Sequence, residues 1–199
     1  MQIDLPGAEV TWLPGWLPAP QAEALRLGLL EEVAWEVHRI KLFGREVDSP
    51  RLSRWIGDAD AHYRYSGTVF EPHPWPARLL PLRERLVAET GRPFNSVLLN
   101  RYRDGRDAMG WHSDDEPELG TQPVIASLSL GAPRRFVLRH RQQHSLKREI
   151  VLGHGDLLLM AGDTQRLYQH ALPRTAKPVG ERVNLTFRQI APRAESRRG

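Results

Sequence analysis

Arg182-Val183-Asn184-Leu185-Thr186-Phe187-Arg188 alternates without a break: its even positions are polar and its odd positions apolar. Successive side chains of a β-strand point to opposite faces. The run therefore reads as a strand with one apolar face and one face carrying Arg, Asn, Thr and Arg. Working back toward the N-terminus, strand-like runs come one after another: Ser96 to Tyr102, Val124 to Leu130, Phe136 to Arg139, Glu149 to Leu152 and Asp156 to Met160. Gly, Pro and polar residues separate them, which is the pattern of an antiparallel sandwich or jelly roll.

Before Pro93 the texture is different. Ala22 to Val33 is built from good helix formers with leucines at 25, 27, 29 and 30 and reads as a surface helix. A second amphipathic helix is expected from Pro76 to Glu89, with Pro76 suited to its first turn. Trp35 to Ile40 alternates as a half-buried strand does, Leu42-Phe43-Gly44-Arg45 looks like the turn of a hairpin, and His62 to Tyr65 is a short extended stretch closed by Ser66-Gly67. The expectation is one compact domain, mainly β with flanking α-helices. Residues 1–92 would carry helices and hairpins, 93–190 a double-stranded β-helix (jelly-roll) core, and 191–199 a flexible tail.

The 199 residues suffice for one well-formed hydrophobic core. No run approaches the roughly 20 apolar residues that span a bilayer, and the first 20 residues lack the pattern of a secretory signal. A cytoplasmic, monomeric protein with no membrane association is the default expectation. The absence of cysteine excludes disulfides, Cys-based zinc sites and a thiol nucleophile. A net charge of +4, largely from arginine, suits a polyanionic partner without demanding one.

The sharpest chemical feature is Trp111-His112-Ser113-Asp114. On a strand His112 and Asp114 would share a face and could reach one point. A distant histidine, for which His170 is the best candidate, would complete a face of two histidines and one carboxylate. That set leaves the opposite coordination positions open, as in non-haem Fe(II) oxygenases. The polar row Arg182, Asn184, Thr186 and Arg188 follows shortly after His170, and Asn100 with Tyr102 adds a same-face polar pair on an earlier strand. Two guanidinium groups on one face are what a short dicarboxylate requires, since each can grip a carboxylate through two parallel hydrogen bonds. Metal and dicarboxylate together point to 2-oxoglutarate.

Taken in order, Asn100-Arg101-Tyr102, His112-Ser113-Asp114, His170 and Arg182 to Arg188 resemble the AlkB family of Fe(II)/2-oxoglutarate-dependent dioxygenases. The resemblance implies a jelly-roll fold and Fe(II), 2-oxoglutarate and O₂ as cofactors. It gives the iron to His112, Asp114 and His170. It gives 2-oxoglutarate to Asn100, Tyr102, Arg182, Asn184, Thr186 and Arg188, with Arg188 on the distal carboxylate. The implied reaction removes an alkyl group from bases such as 1-methyladenine or 3-methylcytosine in DNA, releasing aldehyde, succinate and CO₂.

Leu42-Phe43-Gly44, Pro50-Arg51, Gly57-Asp58 and Tyr63-Arg64-Tyr65-Ser66-Gly67 further resemble the nucleotide-recognition region of homologues that repair double-stranded DNA. That resemblance makes Phe43 a wedge for the gap left by a flipped base and Tyr65 the stacking residue with Tyr63 beside it. Leu42, Gly44, Arg51 and Ser66 complete the substrate contacts. Packing of Leu42, Phe43 and the tyrosines in a small core is the alternative. Asp115 and Glu116 follow the metal ligands, and a carboxylate there would favour a cationic alkylated base over its neutral parent; the family has an acidic residue at the Glu116 position. The Arg-rich stretch from Arg134 to Arg148 is a candidate for following the phosphate backbone. Three rivals remain: the same chemistry on single-stranded DNA, RNA or protein, a catalytically silent nucleic-acid-binding protein, and a zinc hydrolase. The last leaves Arg182 and Arg188 without a task.

Overall fold

The structure, a computed structural model, describes residues 1–42, 45–65 and 68–191, with the backbone alone at 40–42, 45–46, 63–65 and 68–70. Strand β1 (Glu9–Leu13) leads into helix α1 (Ala19–Glu32). The chain then forms β2 (Arg39–Leu42), β3 (Arg45–Asp48), β4 (Leu52–Gly57), β5 (Tyr63–Tyr65) and β6 (Thr68–Phe70). A 3₁₀ turn at Ala77–Leu79 runs into α2 (Leu80–Thr90). Next come β7 (Ser96–Tyr102), β8 (Met109–His112), β9 (Ile125–Gly131), β10 (Arg134–His140), β11 (Lys147–Leu152) and β12 (Leu157–Ala161). A single helical turn, α3 (Thr164–Leu167), separates them from β13 (Tyr168–Leu172) and β14 (Arg182–Arg188).

Two antiparallel sheets form the jelly roll, one of six strands in the order β1-β12-β9-β14-β7-β4 and one of four in the order β11-β10-β13-β8. β14 is central in the larger sheet, between β9 and β7, and every one of its residues is buried. Its apolar row, Val183, Leu185 and Phe187, joins Leu29 of α1 and Leu82 and Leu86 of α2 in the main core. The helices therefore cover one face of the larger sheet. On the other face Ile125, Leu158 and Met160 meet Phe136, Leu138 and Ile150 of the smaller sheet in a second cluster. The space left between the sheets receives the polar row of β14.

The N-terminal elements depart from the sequence expectation in three ways. The larger sheet takes β1 and β4 from before residue 93, so the jelly roll is not confined to 93–190. The strand expected from Trp35 begins only at Arg39. Before it Glu36 makes an isolated bridge to Ser53, and Val37 is exposed, so the alternation there has no second sheet face to bury. The helix expected from Pro76 is broken into a 3₁₀ turn and α2. Pro81 occupies the first turn of α2, where its missing N–H is harmless, and it could not have continued a helix begun at Pro76. Gly91 ends α2 with φ 64°, the left-handed conformation glycine adopts without strain. Among the described residues no helix is long and apolar enough to cross a membrane.

Candidate active site

His112 is the last residue of β8 and pairs in register with His170 on β13. Their rings lie edge to face with centroids 4.2 Å apart. Gly110 O, an acceptor only, is 2.9 Å from His112 Nδ1, which fixes the proton on Nδ1 and leaves Nε2 with its lone pair. Asp114 is not on a strand with His112, as the spacing had suggested, because β8 ends one residue after Trp111. Side chains hold it instead. Its backbone N–H donates to Gln165 Oε1 at 2.9 Å, and Ser113 Oγ donates to Tyr168 O at 2.8 Å. Arg188 Nη2 donates to Asp114 Oδ1 at 2.7 Å in an ion pair whose two side chains are each 3% exposed.

One potential ligand atom from each of His112, Asp114 and His170 lies within 4.8 Å of the others. Burial and the neighbouring His112 push the His170 pKa down to about 3, and burial likewise lowers that of His112, so both rings are neutral. Burial alone would raise the Asp114 carboxyl. The charge of Arg188, helped by the two histidines and the Arg188 hydrogen bond, outweighs it and holds the pKa at about 2. Asp114 Oδ2 is buried and has no hydrogen-bond partner among the described residues. Two neutral imidazoles and an orphaned anionic oxygen converging on one point fit a divalent metal, since a buried carboxylate oxygen is otherwise costly to leave unsatisfied.

The same cavity is lined by Asn100, Tyr102, Arg182, Asn184, Thr186 and Arg188. All six residues expected on the cosubstrate face are thus brought together with the three expected ligands. Their surroundings differ along the strand. Arg188 sits at the metal end on Asp114, so a task on the distal carboxylate does not suit it. Arg182 lies at the opposite end of β14. Its Nη2 donates to Ser129 Oγ at 2.8 Å, its Nε is buried without a hydrogen-bond partner, and its guanidinium is 5.4 Å from the centre of the Tyr102 ring. Among the described residues no carboxylate pairs with it, and burial, only partly offset by Tyr102, lowers its pKa to about 10. Asn184 is fixed by Ser127 Oγ and Leu128 O, and its Oδ1 accepts from Thr186 Oγ1.

The expected nucleic-acid contacts fare unevenly. Arg51 is buried, not presented to a partner; its Nε donates to Asn100 Oδ1 at 2.7 Å, so it braces the cavity wall. Asp115 is exposed and paired with Arg141, while Glu116 is partly buried. Leu42, Tyr63 and Tyr65 lie on strands described by backbone only, with Leu42 paired to Arg45 and Tyr65 to Thr68. Phe43, Gly44 and Ser66 lie outside the described residues, as do 192–199. Arg134 cannot follow phosphates from its buried position, where it donates to the carbonyls of Asp104, Asp107 and Pro173. Ser127, Ser129 and Gln165 went unnoticed in the sequence. The two serines had a signal, since they stand two apart in the otherwise apolar Ile-Ala-Ser-Leu-Ser-Leu-Gly of β9; Gln165 had none.

Residues 9–188 match the model of the 2OG-Fe(II) oxygenase superfamily. The chain is 38% identical over 194 residues to human alpha-ketoglutarate-dependent dioxygenase alkB homolog 3, an alignment covering 93% of the chain and 67% of that relative. It is 44% identical over 161 residues to the DNA oxidative demethylase ALKBH2 of Bos taurus, covering 77% of the chain and 58% of that relative. For the corresponding rat homolog 3 the identity is 39%, with 65% of the relative covered, so the chain spans about two thirds or less of these proteins. Among solved structures, OsALKBH1 superposes with a TM-score of 0.67 over 94% of this chain and 100% of that one, at 18% identity, which is a likeness of fold.

Proposed function

The chain belongs to the AlkB family of the 2OG-Fe(II) oxygenase superfamily, with Fe(II), 2-oxoglutarate and O₂ as its cofactors, and from that premise we propose that it is an oxidative demethylase of N-alkylated bases in DNA. The observation that carries the reading is one cavity with two complementary needs. Among the described residues, a buried carboxylate oxygen at one end, Asp114 Oδ2, has no hydrogen-bond partner, and a buried guanidinium at the other, Arg182, has no acid. A divalent cation answers the first and a dicarboxylate's far end the second.

His112 through Nε2, His170 and Asp114 through Oδ2 are the residues to hold Fe(II). Bound there with 2-oxoglutarate and O₂, the metal supplies oxidation of the N-alkyl C–H bond: one oxygen atom ends in succinate and the other in the released aldehyde, with loss of CO₂. Arg182, with Tyr102 beside it, grips the distal carboxylate. Arg188 holds Asp114 by Oδ1 and so keeps Oδ2 turned away from hydrogen bonding. Asn100, braced by Arg51, and Asn184, braced by Ser127, keep the walls of the cavity in place, with Thr186 bonded to Asn184. Because both histidines stay neutral, neither competes with the metal by holding a proton.

For the base, Glu116 supplies negative charge beside the ligands, which favours a ring made cationic by N-alkylation. Phe43 as wedge and Tyr65 as stacking residue, with Leu42, Gly44, Tyr63 and Ser66 around them, extend the reading to double-stranded DNA, since a duplex leaves a gap when a base is flipped. The test uses an oligonucleotide with one 3-methylcytosine, single- and double-stranded, followed by product mass with each cofactor omitted in turn. Loss of the methyl group only in the complete mixture, faster on the duplex for wild type than for Phe43→Ala, is the expected result. An unchanged mass on both strand forms would overturn the base-repair reading, and equal losses by Phe43→Ala on both forms would overturn the wedge.

A further inference from the structure

We propose that Gln165 is the positioning residue for Asp114 and thereby sets how tightly the His112, Asp114 and His170 centre retains its metal. The inference rests on the assignment of those three residues as ligands. The pairing of β8 with β13 fixes His112 and His170, but β8 ends there, and Asp114 lies beyond the reach of the sheet's hydrogen bonds. A buried backbone N–H outside a sheet must find another acceptor. For Asp114 it is Gln165 Oε1, at 2.9 Å.

The glutamine is built for that one contact. It is 2% exposed on the single turn α3, and its Nε2 donates to Met160 Sδ at 3.6 Å, so both ends of the amide are engaged. Because the Asp114 N–H can only donate, the amide oxygen must be the end that faces it. The same stretch of chain runs on to Tyr168, whose carbonyl accepts from Ser113 Oγ, and then to His170. Residues 165–170 thus supply one ligand and hold the backbone of another. Arg188 fixes the carboxylate through Oδ1. Gln165 governs where the Asp114 backbone sits, and Arg188 governs how its carboxylate is turned.

Partners that orient metal ligands typically change metal affinity by about 10- to 100-fold when removed. The test titrates Co(II), followed by its visible absorption, into the metal-free full chain of wild type, Gln165→Leu, Gln165→Glu and Asp114→Ala, with the melting temperature of each metal-free protein recorded. Gln165→Leu should weaken Co(II) binding about 10-fold or more and shift the absorption bands. Gln165→Glu, which keeps an acceptor oxygen at the same reach, should restore most of that loss. A Gln165→Leu protein with a lowered melting temperature but wild-type Co(II) affinity would overturn the proposal, because a merely structural glutamine behaves that way. Wild type binding Co(II) no better than Asp114→Ala would overturn the ligand assignment itself, and the role of Gln165 with it.

Discussion

At one end of β14 Arg188 is locked to the carboxylate of Asp114, and at the other Arg182 donates to Ser129 and lies against the face of Tyr102, with no carboxylate paired to it among the described residues. Both guanidinium groups are buried in the same cavity and face the same way from the same strand. The difference is what each lacks. Arg188 has its counter-charge within the protein and spends its charge holding Asp114 ionised. Arg182 has none among the described residues, and burial pulls its pKa down toward 10. A buried cation without an acid is unstable unless an anion arrives from outside. One strand therefore carries a structural pair at the proposed metal end and, in the proposed reading, the anchor of an anionic ligand at the other.

The largest effect that sharpens this contrast is at the metal. His112→Ala should reduce turnover by about 1,000-fold or more and abolish stoichiometric metal binding by calorimetry, since it removes one of the three proposed ligands. Next, Arg182→Gln should raise the KM for 2-oxoglutarate by about 10- to 100-fold, the loss of one charged hydrogen-bonded contact, while the affinity for metal stays at wild type. Arg188→Gln should do the reverse and weaken metal binding first. Equal effects of the two substitutions on 2-oxoglutarate and metal would erase the distinction between the two ends.

A smaller effect concerns acid stability without metal. The His170 pKa falls from an ordinary value near 6.5 to about 3 in the folded chain. Below the ordinary value the unfolded chain binds a proton that the folded chain refuses, so stability present at neutral pH is lost as the pH falls from about 6.5 toward 3. The melting temperature of the metal-free protein should drop over that window, and less steeply in His170→Gln. The smallest effect is at the surface, where Asp115 pairs with Arg141 and both side chains are more than a third exposed. Arg141→Gln should change stability by less than about 1 kcal/mol in denaturant unfolding, and the change should shrink in high salt.

Much of this architecture was legible because period-two alternation survives wherever a strand has two different faces to satisfy. β14 and β7 begin and end where their patterns do, and the candidate ligands His112 and His170 stand at a cross-strand pair. What escaped depends on contacts distant in sequence. Leu52–Gly57 was not singled out as a strand, and the partner that makes it one, β7, lies far along the chain. Arg188 and Arg182 are identical letters, and only the fold tells which one meets Asp114. The position of Asp114 itself was anticipated for the wrong reason, because a strand would have placed it by geometry whereas Gln165, Ser113 and Arg188 place it by hydrogen bonds. Arg51, expected at the substrate from the family resemblance, and Arg134, expected on a phosphate backbone from its Arg-rich stretch, are both buried and donate to internal acceptors.

The most direct test counts products in a single reaction: succinate formed and 3-methylcytosine lost from one oligonucleotide, with Fe(II), O₂ and limiting 2-oxoglutarate. Base repair through this site predicts one base restored for each succinate, and neither product once Asp114 is replaced by alanine. Succinate accumulating while the methylated base stays intact, in single and double strands alike, would contradict it.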